Sequence, residues 1–409
     1  MPESAPLPSW GSDLVSQLAV RLVGRQESHY KAALDALDGS LREAIEGRRI
    51  LVLGAAGFIA RKTLSVILRY RPDYVGLVDI SENGLAEVIR WLRASGVVPP
   101  STTIDPWLAD IGGPNFIRLV RSVGHVDRVL NFAAVKHVRS ERDVPSLLRM
   151  LEVNLVGIYA SAVAVEEHAP GTPQFFVSTD KASDPSNFMG ASKRAMEIAI
   201  ASLAAPTTTV RFANVAFSSG SLLESWLFRL GDRQPLVVPE STWRYFVTPE
   251  ESGELCAAAA VAQLRSAVIP HFAASDLILL EDALCTTLEF FGLDPVRVDG
   301  IDEARAHITR GAVGKGYYPY FVTPLDTMGE KTAESLVGSG EKVWPWLPGL
   351  DVMPLTGQPE ASTNLIAWLT NKISCPGSLV STEEIGRQLS TVVPNFRHGG
   401  GTSQLDDRV

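Results

Sequence analysis

The sequence predicts an α/β protein: a doubly wound parallel sheet, a smaller mixed region behind it and a helical extension in front. Three observations carry this. Short apolar runs of buried-strand type recur at residues 50–54, 74–78, 126–132, 174–178 and 207–215, with a third strand closing at Asp110 and Ile111. Helical patterns separate them, so strand and helix alternate six times. The first run ends in the turn Gly54-Ala55-Ala56-Gly57, and a helix follows it. The expected divisions are 1–47 (helical extension), 48–215 (nucleotide-binding sheet with a catalytic loop) and 216–409 (substrate-binding and cap region).

At 409 residues the chain exceeds one small core. Its 45% hydrophobic and 20% charged content is ordinary for a globular protein. A net charge of −9 gives no basic footprint for nucleic acid. The three cysteines, Cys256, Cys285 and Cys375, have no metal spacing, so buried or idle thiols and no metal are expected. No apolar stretch follows a basic start, and the most apolar tract, 255–269, is broken by Gln263 and Arg265. It is shorter than the roughly 20 residues needed to span a bilayer. The expectation is a soluble, cytoplasmic protein with no membrane span.

In chain order, residues 12–46 read as helical, broken at Gly24 and Gly39, and serve either as an oligomerisation arm or as packing. The turn Gly54-Ala55-Ala56-Gly57-Phe58-Ile59-Ala60 lets the backbone approach a pyrophosphate at the positive end of a helix. The second strand ends in Asp79, which can accept both ribose hydroxyls of an adenosine and would repel a 2′-phosphate, favouring NAD over NADP; the structural alternative is a helix-capping acid. Asp110 and Ile111 stand where such folds contact adenine. Ala133 and Ala134 are small enough to lie against a cofactor, and Lys136 and His137 reach toward the site, unless His137 is a core histidine.

A helix at 147–166 contains Asn154, and the fifth strand ends in Thr179-Asp180-Lys181. A hydroxyl, a carboxylate and an amine at the carboxyl end of a buried strand lie where open α/β sheets put their chemistry. A helix then carries Met189 and Lys193 at i and i+4 on one face. After residue 215 the alternation decays. Ser218 and Ser219 lie in a flexible turn. Arg244 sits among aromatics as a diphosphate clamp, or as a surface cation stacked on Trp243 or Tyr245. Helices are expected at 252–264, 281–292 and 360–373, and a loop-dominated cap at 314–348.

With these motifs in place the chain resembles the extended short-chain dehydrogenase/reductases, whose sheet is of Rossmann type. Within them it is similar to the polysaccharide-biosynthesis nucleotide-sugar 4,6-dehydratases acting on UDP-N-acetylglucosamine or its GDP analogue. The resemblance covers about residues 48–260. It rests on GAAGFIA at 54–60, AAVKHV at 133–138, STDKA at 178–182, MGASK at 189–193, RFANV at 211–215 and RYFVT at 244–248. It implies a lyase that passes hydride from sugar C4 to NAD, eliminates water across C5 and C6, and returns hydride to C6. Cofactor contacts would come from Gly54, Ala56, Gly57, Phe58, Ile59, Asp79, Ser81, Asp110, Ile111, Ala133, Ala134, Lys136 and Lys193. Substrate contacts would come from His137, Met189, Asn214, Ser218, Ser219 and Arg244. Asp180 would be the acid for the C6 hydroxyl and Lys181 the C5 base, neutral because burial or Lys193 lowers its pKa. Thr179 would bond the C4 hydroxyl, and Lys193 would hold the nicotinamide ribose. A homo-oligomer is the family's habit.

Most of the superfamily has Tyr-x-x-x-Lys, with tyrosine as the C4 base. Here Met189 holds that place and cannot accept a proton. Either the site is silent or another group does the work; the same replacement marks an active subgroup of these dehydratases that retains configuration at C5. In the active case the proton leaves through Thr179 and Asp180 or Lys181. A 4-epimerase or reductase on the same scaffold is the alternative enzyme, although simple C4 epimerisation needs no C5 base.

Overall fold

The structure is a computed structural model that describes residues 12–136, 141–324, 332–375, 377 and 379–397. Six strands form first: β1 (Arg49–Leu53), β2 (Tyr74–Asp79), β3 (Thr103–Leu108), β4 (Arg128–Asn131), β5 (Gln174–Val177) and β6 (Thr207–Val210). They are parallel and lie in the order β3-β2-β1-β4-β5-β6. Strand order reverses between β1 and β4, and in open α/β sheets the crevice outside the strand ends at that point is where ligands bind. The run at 50–54 is buried on both faces, as parallel strands flanked by helices must be.

The third strand ends two residues before Asp110, at Leu108 rather than at the expected 110–111. It is an edge strand with Pro106 inside it and few buried residues, so it shows no continuous apolar run. The expected sixth strand, 207–215, divides. β6 stays in the main sheet, while β7 (Asn214–Val215) pairs with β9 (Trp243–Val247) in a second sheet with β11 (Leu277–Leu279). Between these, β8 (Leu236–Pro239) pairs in parallel with β13 (Tyr317–Thr323), which also pairs with β12 (Asp294–Arg297). The main sheet grows past β6 through β10 (Ser266–Pro270), and then antiparallel through β15 (Leu350–Pro354) and β14 (Trp344–Leu347). The stretch expected as a loop-dominated cap therefore contributes two strands, β13 and β14. Its Tyr318 and Tyr320 are buried in the core, while Trp344 is exposed.

The N-terminal residues form two helices, Ser12–Val23 and Lys31–Ile45. Gly24 follows the first, but Gly39 does not interrupt the second. A lone glycine costs about 1 kcal/mol in a helix, and here Ala33, Leu37, Leu41 and Ile45 at four-residue spacing are buried against the sheet's core. The first helix buries Leu18, Ala19 and Leu22 with Trp226, Phe246 and Leu284. Both helices are packing elements of the fold. The helix expected at 252–264 is Pro249–Ala260, started by a capping box between Thr248 and Glu251 with Pro249 at its first turn. Helices Pro359–Ser374 and Thr382–Ser390 return to the main sheet, where Leu365, Leu369, Ile385 and Leu389 pack with the helix Phe188–Ala201.

The helix after β4 runs from Val144 to His168 and contains a π-helical turn at Glu152–Gly157. Among the described residues it alone is long and apolar enough to cross a membrane; 56% of its apolar window is buried in the fold. Cys256 is buried, Cys285 half-buried and Cys375 exposed, all as free thiols.

Candidate functional site

The glycine turn is built for close approach. Gly54 has φ +71°, and a Cβ there would lie 2.6 Å from the Ala133 nitrogen. Only glycine lets the β1 and β4 ends converge so tightly. Gly57 immediately precedes the helix Phe58–Ile67, whose first N–H groups have no side-chain cap. Asp79 takes the Ala56 N–H on one carboxylate oxygen at 2.9 Å and the Ser81 N–H on the other at 2.9 Å. The helix Glu82–Ser95 is capped by Ser81, which accepts from the Gly84 N–H. Asp79 is therefore a brace between the turn and the second helix, and each oxygen keeps a further lone pair for a ligand hydroxyl.

Beyond β4, the Ala133 N–H donates to the Asn131 side chain at 3.0 Å. Asn154, fully buried in the π turn, accepts from the Val135 N–H at 2.8 Å. It donates to the Val135 carbonyl at 2.8 Å and to the Ser192 hydroxyl at 3.1 Å. One amide thus ties Val135 to the helix that carries Lys193. π turns occur often at functional sites. Asn154 was legible in the sequence only as a polar residue in an apolar helix; its role was not. Asp110 accepts from the Gly112 N–H at 3.0 Å and pairs with Arg149 at 3.5 Å, while Ile111 is buried in the core. Lys136 is exposed and lies within electrostatic reach of Glu224, which follows the Ser218–Ser219 turn. His137 lies outside the described residues.

Thr179, Asp180 and Lys181 converge on one atom. Asp180 Oδ1 accepts from the Thr179 hydroxyl at 2.8 Å, the Lys181 N–H at 2.9 Å and the Lys181 ammonium at 3.2 Å. Asp180 is buried, and its own N–H is held by the Phe212 carbonyl at 3.1 Å. The following helix presses against this loop: a Cβ on Gly190 would lie 2.3 Å from the Lys181 carbonyl oxygen. The first two N–H groups of that helix, at Phe188 and Met189, donate to the two oxygens of Glu141 at 3.0 and 2.9 Å. Glu141 was not anticipated from the sequence. The Met189 side chain is buried with Leu147, Leu151 and Phe188 in the apolar core.

The two lysines differ, and the expected assignment is corrected. Burial pulls the Lys181 ammonium down, but the carboxylates of Asp180 and Glu334 together outweigh it, so its pKa stands above the ordinary value. Lys193 is the lysine whose pKa is lowered. Burial brings it to about 8, with Glu197 opposing, and its ammonium donates to the Val177 carbonyl at 3.0 Å.

Beneath the loop lies an ion cluster whose centre, Arg211 and Glu197, is fully buried. Arg211 forks onto Glu197 at 2.9 and 2.8 Å and onto Glu341 at 2.5 and 2.8 Å, and donates to the Leu336 carbonyl at 3.0 Å. Ser178 donates to Glu197 at 2.6 Å, and Arg194 bridges Glu197 and Glu341. Arg244 donates to the carbonyls of Trp243 at 2.8 Å and Thr332 at 3.1 Å, and its charge reaches Lys181. Asn214 donates to the Tyr245 carbonyl at 3.3 Å, next to Arg244. Ser218 and Ser219 lie in the turn after β7 with no described bond to the Thr179–Lys181 loop.

The strand order, the glycine turn and the Thr-Asp-Lys loop with its following lysine define a fold of the short-chain dehydrogenase/reductase type. Residues 50–293 match the family described as polysaccharide biosynthesis protein, and the chain belongs to that family. It is 31% identical over 231 residues to the probable polysaccharide biosynthesis protein EpsC of Bacillus subtilis, covering 54% of this chain and 37% of the relative. It is 31% identical over 252 residues to the capsular polysaccharide biosynthesis protein CapD of Staphylococcus aureus, covering 59% and 40%. The alignments thus span well under half the length of these curated relatives. Among solved structures, Pen from Bacillus thuringiensis superposes with a TM-score of 0.60 at 21% identity, over 76% of this chain and 87% of that one.

Proposed function

We propose that the chain carries the catalytic unit of an NAD-dependent nucleotide-sugar 4,6-dehydratase, acting on UDP-N-acetylglucosamine or a related nucleoside-diphosphate hexose. The residues present fit a dinucleotide: Gly54 lets the turn close onto the Phe132–Ala133 backbone, the helix at Phe58 starts with no side-chain cap on its first N–H groups, and Asp79 retains acceptor capacity. Gly54, Ala56, Gly57, Asp79, Ala133 and Lys193 would hold NAD, which when bound supplies a reversible hydride acceptor.

One observation carries the reading: the Thr179 hydroxyl and the Lys181 ammonium share Asp180 Oδ1. Oxidation at C4 releases the hydroxyl proton. Thr179 accepts it and passes its own to Asp180. Asp180, now protonated, gives that proton to the C6 hydroxyl, which leaves as water. The neutral fraction of Lys181 takes the C5 proton, made acidic by the C4 ketone; the resulting ammonium exchanges with solvent and later delivers a solvent-derived proton to C5. Both residues end as they began, and Met189 is asked to do nothing. The Lys193 cation faces the site's growing negative charge.

The test is incubation with UDP-N-acetylglucosamine, UDP-glucose and GDP-N-acetylglucosamine, followed by mass. Loss of one water with no net NADH is expected. An isobaric isomer would instead mark a 4-epimerase, and NAD binding without turnover of any nucleotide sugar would mark a silent protein.

A further inference from the structure

The segment 332–341 crosses the site as a strap, and nearly every residue of it is tied down. The Thr332 carbonyl accepts from the Trp243 N–H at 2.7 Å and from Arg244 at 3.1 Å. The Ser335 carbonyl accepts from the Ser183 hydroxyl at 2.6 Å. Leu336 and Glu341 are held by Arg211. A Cβ on Gly338 would lie 2.3 Å from the Ser183 carbonyl oxygen, and Ser339 donates twice to Asp184, at 2.9 and 3.0 Å. Such fixing leaves the strap one placement over the loop 180–184. That placement sets the Glu334 carboxylate 3.6 Å from the Lys181 ammonium, with the Glu334 side chain only 7% exposed.

We propose that Glu334 is a positioning residue for Lys181: the strap delivers a buried carboxylate that orients the lysine and stabilises the ammonium formed when it takes a proton. Among the described residues, the charged groups facing Lys181 are Asp180 on its own loop, Glu334 on the strap and Arg244 on β9. Asp180 is spent in the reaction as proposed above, because it must be neutral when it yields its proton to the leaving hydroxyl. At that moment its attraction for Lys181 is gone, and Glu334 is the carboxylate that still favours proton transfer from C5 to nitrogen. Arg244 acts in the opposite sense, and the Thr332 carbonyl ties its guanidinium to the same strap. The strap therefore sets both the attractive and the repulsive charge around the base.

The kinetic part rests on the dehydratase reading; the charge effect on Lys181 does not. Two measurements separate them. In the first, the ligand-free protein and its Glu334→Gln variant are acylated with an amine-reactive anhydride across a pH series, and the peptide bearing Lys181 is followed by mass spectrometry. The midpoint for Lys181 should fall by about one pH unit or more in the variant, the effect of removing an opposite charge within about 4–6 Å. Glu334→Asp, which lengthens the contact without removing the charge, should fall between the two and serves if the Gln variant does not fold. In the second, the pH profile of kcat/KM for water loss should move to lower pH by the same amount as the labelling midpoint. An unchanged midpoint in both variants overturns the proposal, as does a drop in rate with no movement of the profile, which a merely structural residue would give. If the parent turns over no nucleotide sugar, the dehydratase reading fails, and the labelling midpoint still decides the role of Glu334.

Discussion

Replacing Glu197 with glutamine tests whether the buried ion cluster holds the catalytic loop and the strap together. Glu197 is fully buried, and the substitution keeps its shape while removing its charge from Arg211, Arg194 and Ser178. Burial alone would push its carboxyl up, but the Arg211 guanidinium prevails and brings it from the ordinary 4.5 down to about 2. That drop corresponds to about 3 kcal/mol, and losing one partner of a buried pair costs about 3–5 kcal/mol. Because the folded value is depressed, this stability is present in full above about pH 4.5 and disappears as pH falls toward about 2. Urea unfolding at about pH 7 should therefore show the variant less stable by about 3 kcal/mol, with the gap closing near about pH 2–3. Hydrogen exchange at 335–341 should rise in the variant, since Arg211 also carries Leu336 and Glu341. A loss below about 1 kcal/mol at neutral pH, or an acid sensitivity equal to the parent's, would refute this account of the cluster.

Three further outcomes are expected. Lys193→Met should stabilise the ligand-free protein at neutral pH by on the order of 2 kcal/mol, since burial costs the charged lysine more than its bond to Val177 returns; the gain fades as pH rises from about 8 to 10.5. The same variant should lose turnover, so thermal melts and assays move in opposite directions. Gly190→Ala should cost about 1–3 kcal/mol in urea unfolding, because its methyl meets the Lys181 carbonyl, and should lower kcat more than it weakens NAD binding. Asn154→Ala should cost about 2–3 kcal/mol by leaving both polar groups of Val135 unpaired, and should weaken NAD binding measured by calorimetry.

Much of the fold was legible because parallel strands buried on both faces are written as apolar runs, as at 50–54 and 174–178. The edge strand β3 was not, since an edge needs no such run. The split of 207–215 was hidden because Arg211 interrupts an apolar stretch for a reason far away in sequence, its bonds to Glu197 and Glu341. Gly39 misled because propensity is weak against four buried side chains. In the site, the identities of Thr179, Asp180 and Lys181 were readable, but their charge states were not. Which lysine is depressed depends on Glu334, more than 150 positions from Lys181, and on the apolar burial of Lys193. Sequence distance conceals such partners; Glu141 and Asn154 were missed for the same reason.

The central claim is that Asp180 and Lys181 carry an elimination across C5 and C6 while hydride moves from C4 to C6. It is tested most directly by running the reaction in D2O on a nucleotide sugar labelled with tritium at C4, then locating both isotopes in the product. The account predicts a product lighter by one water, one solvent deuterium at C5 and the tritium at C6. A product with no solvent deuterium at C5, or with the tritium still at C4, would contradict it.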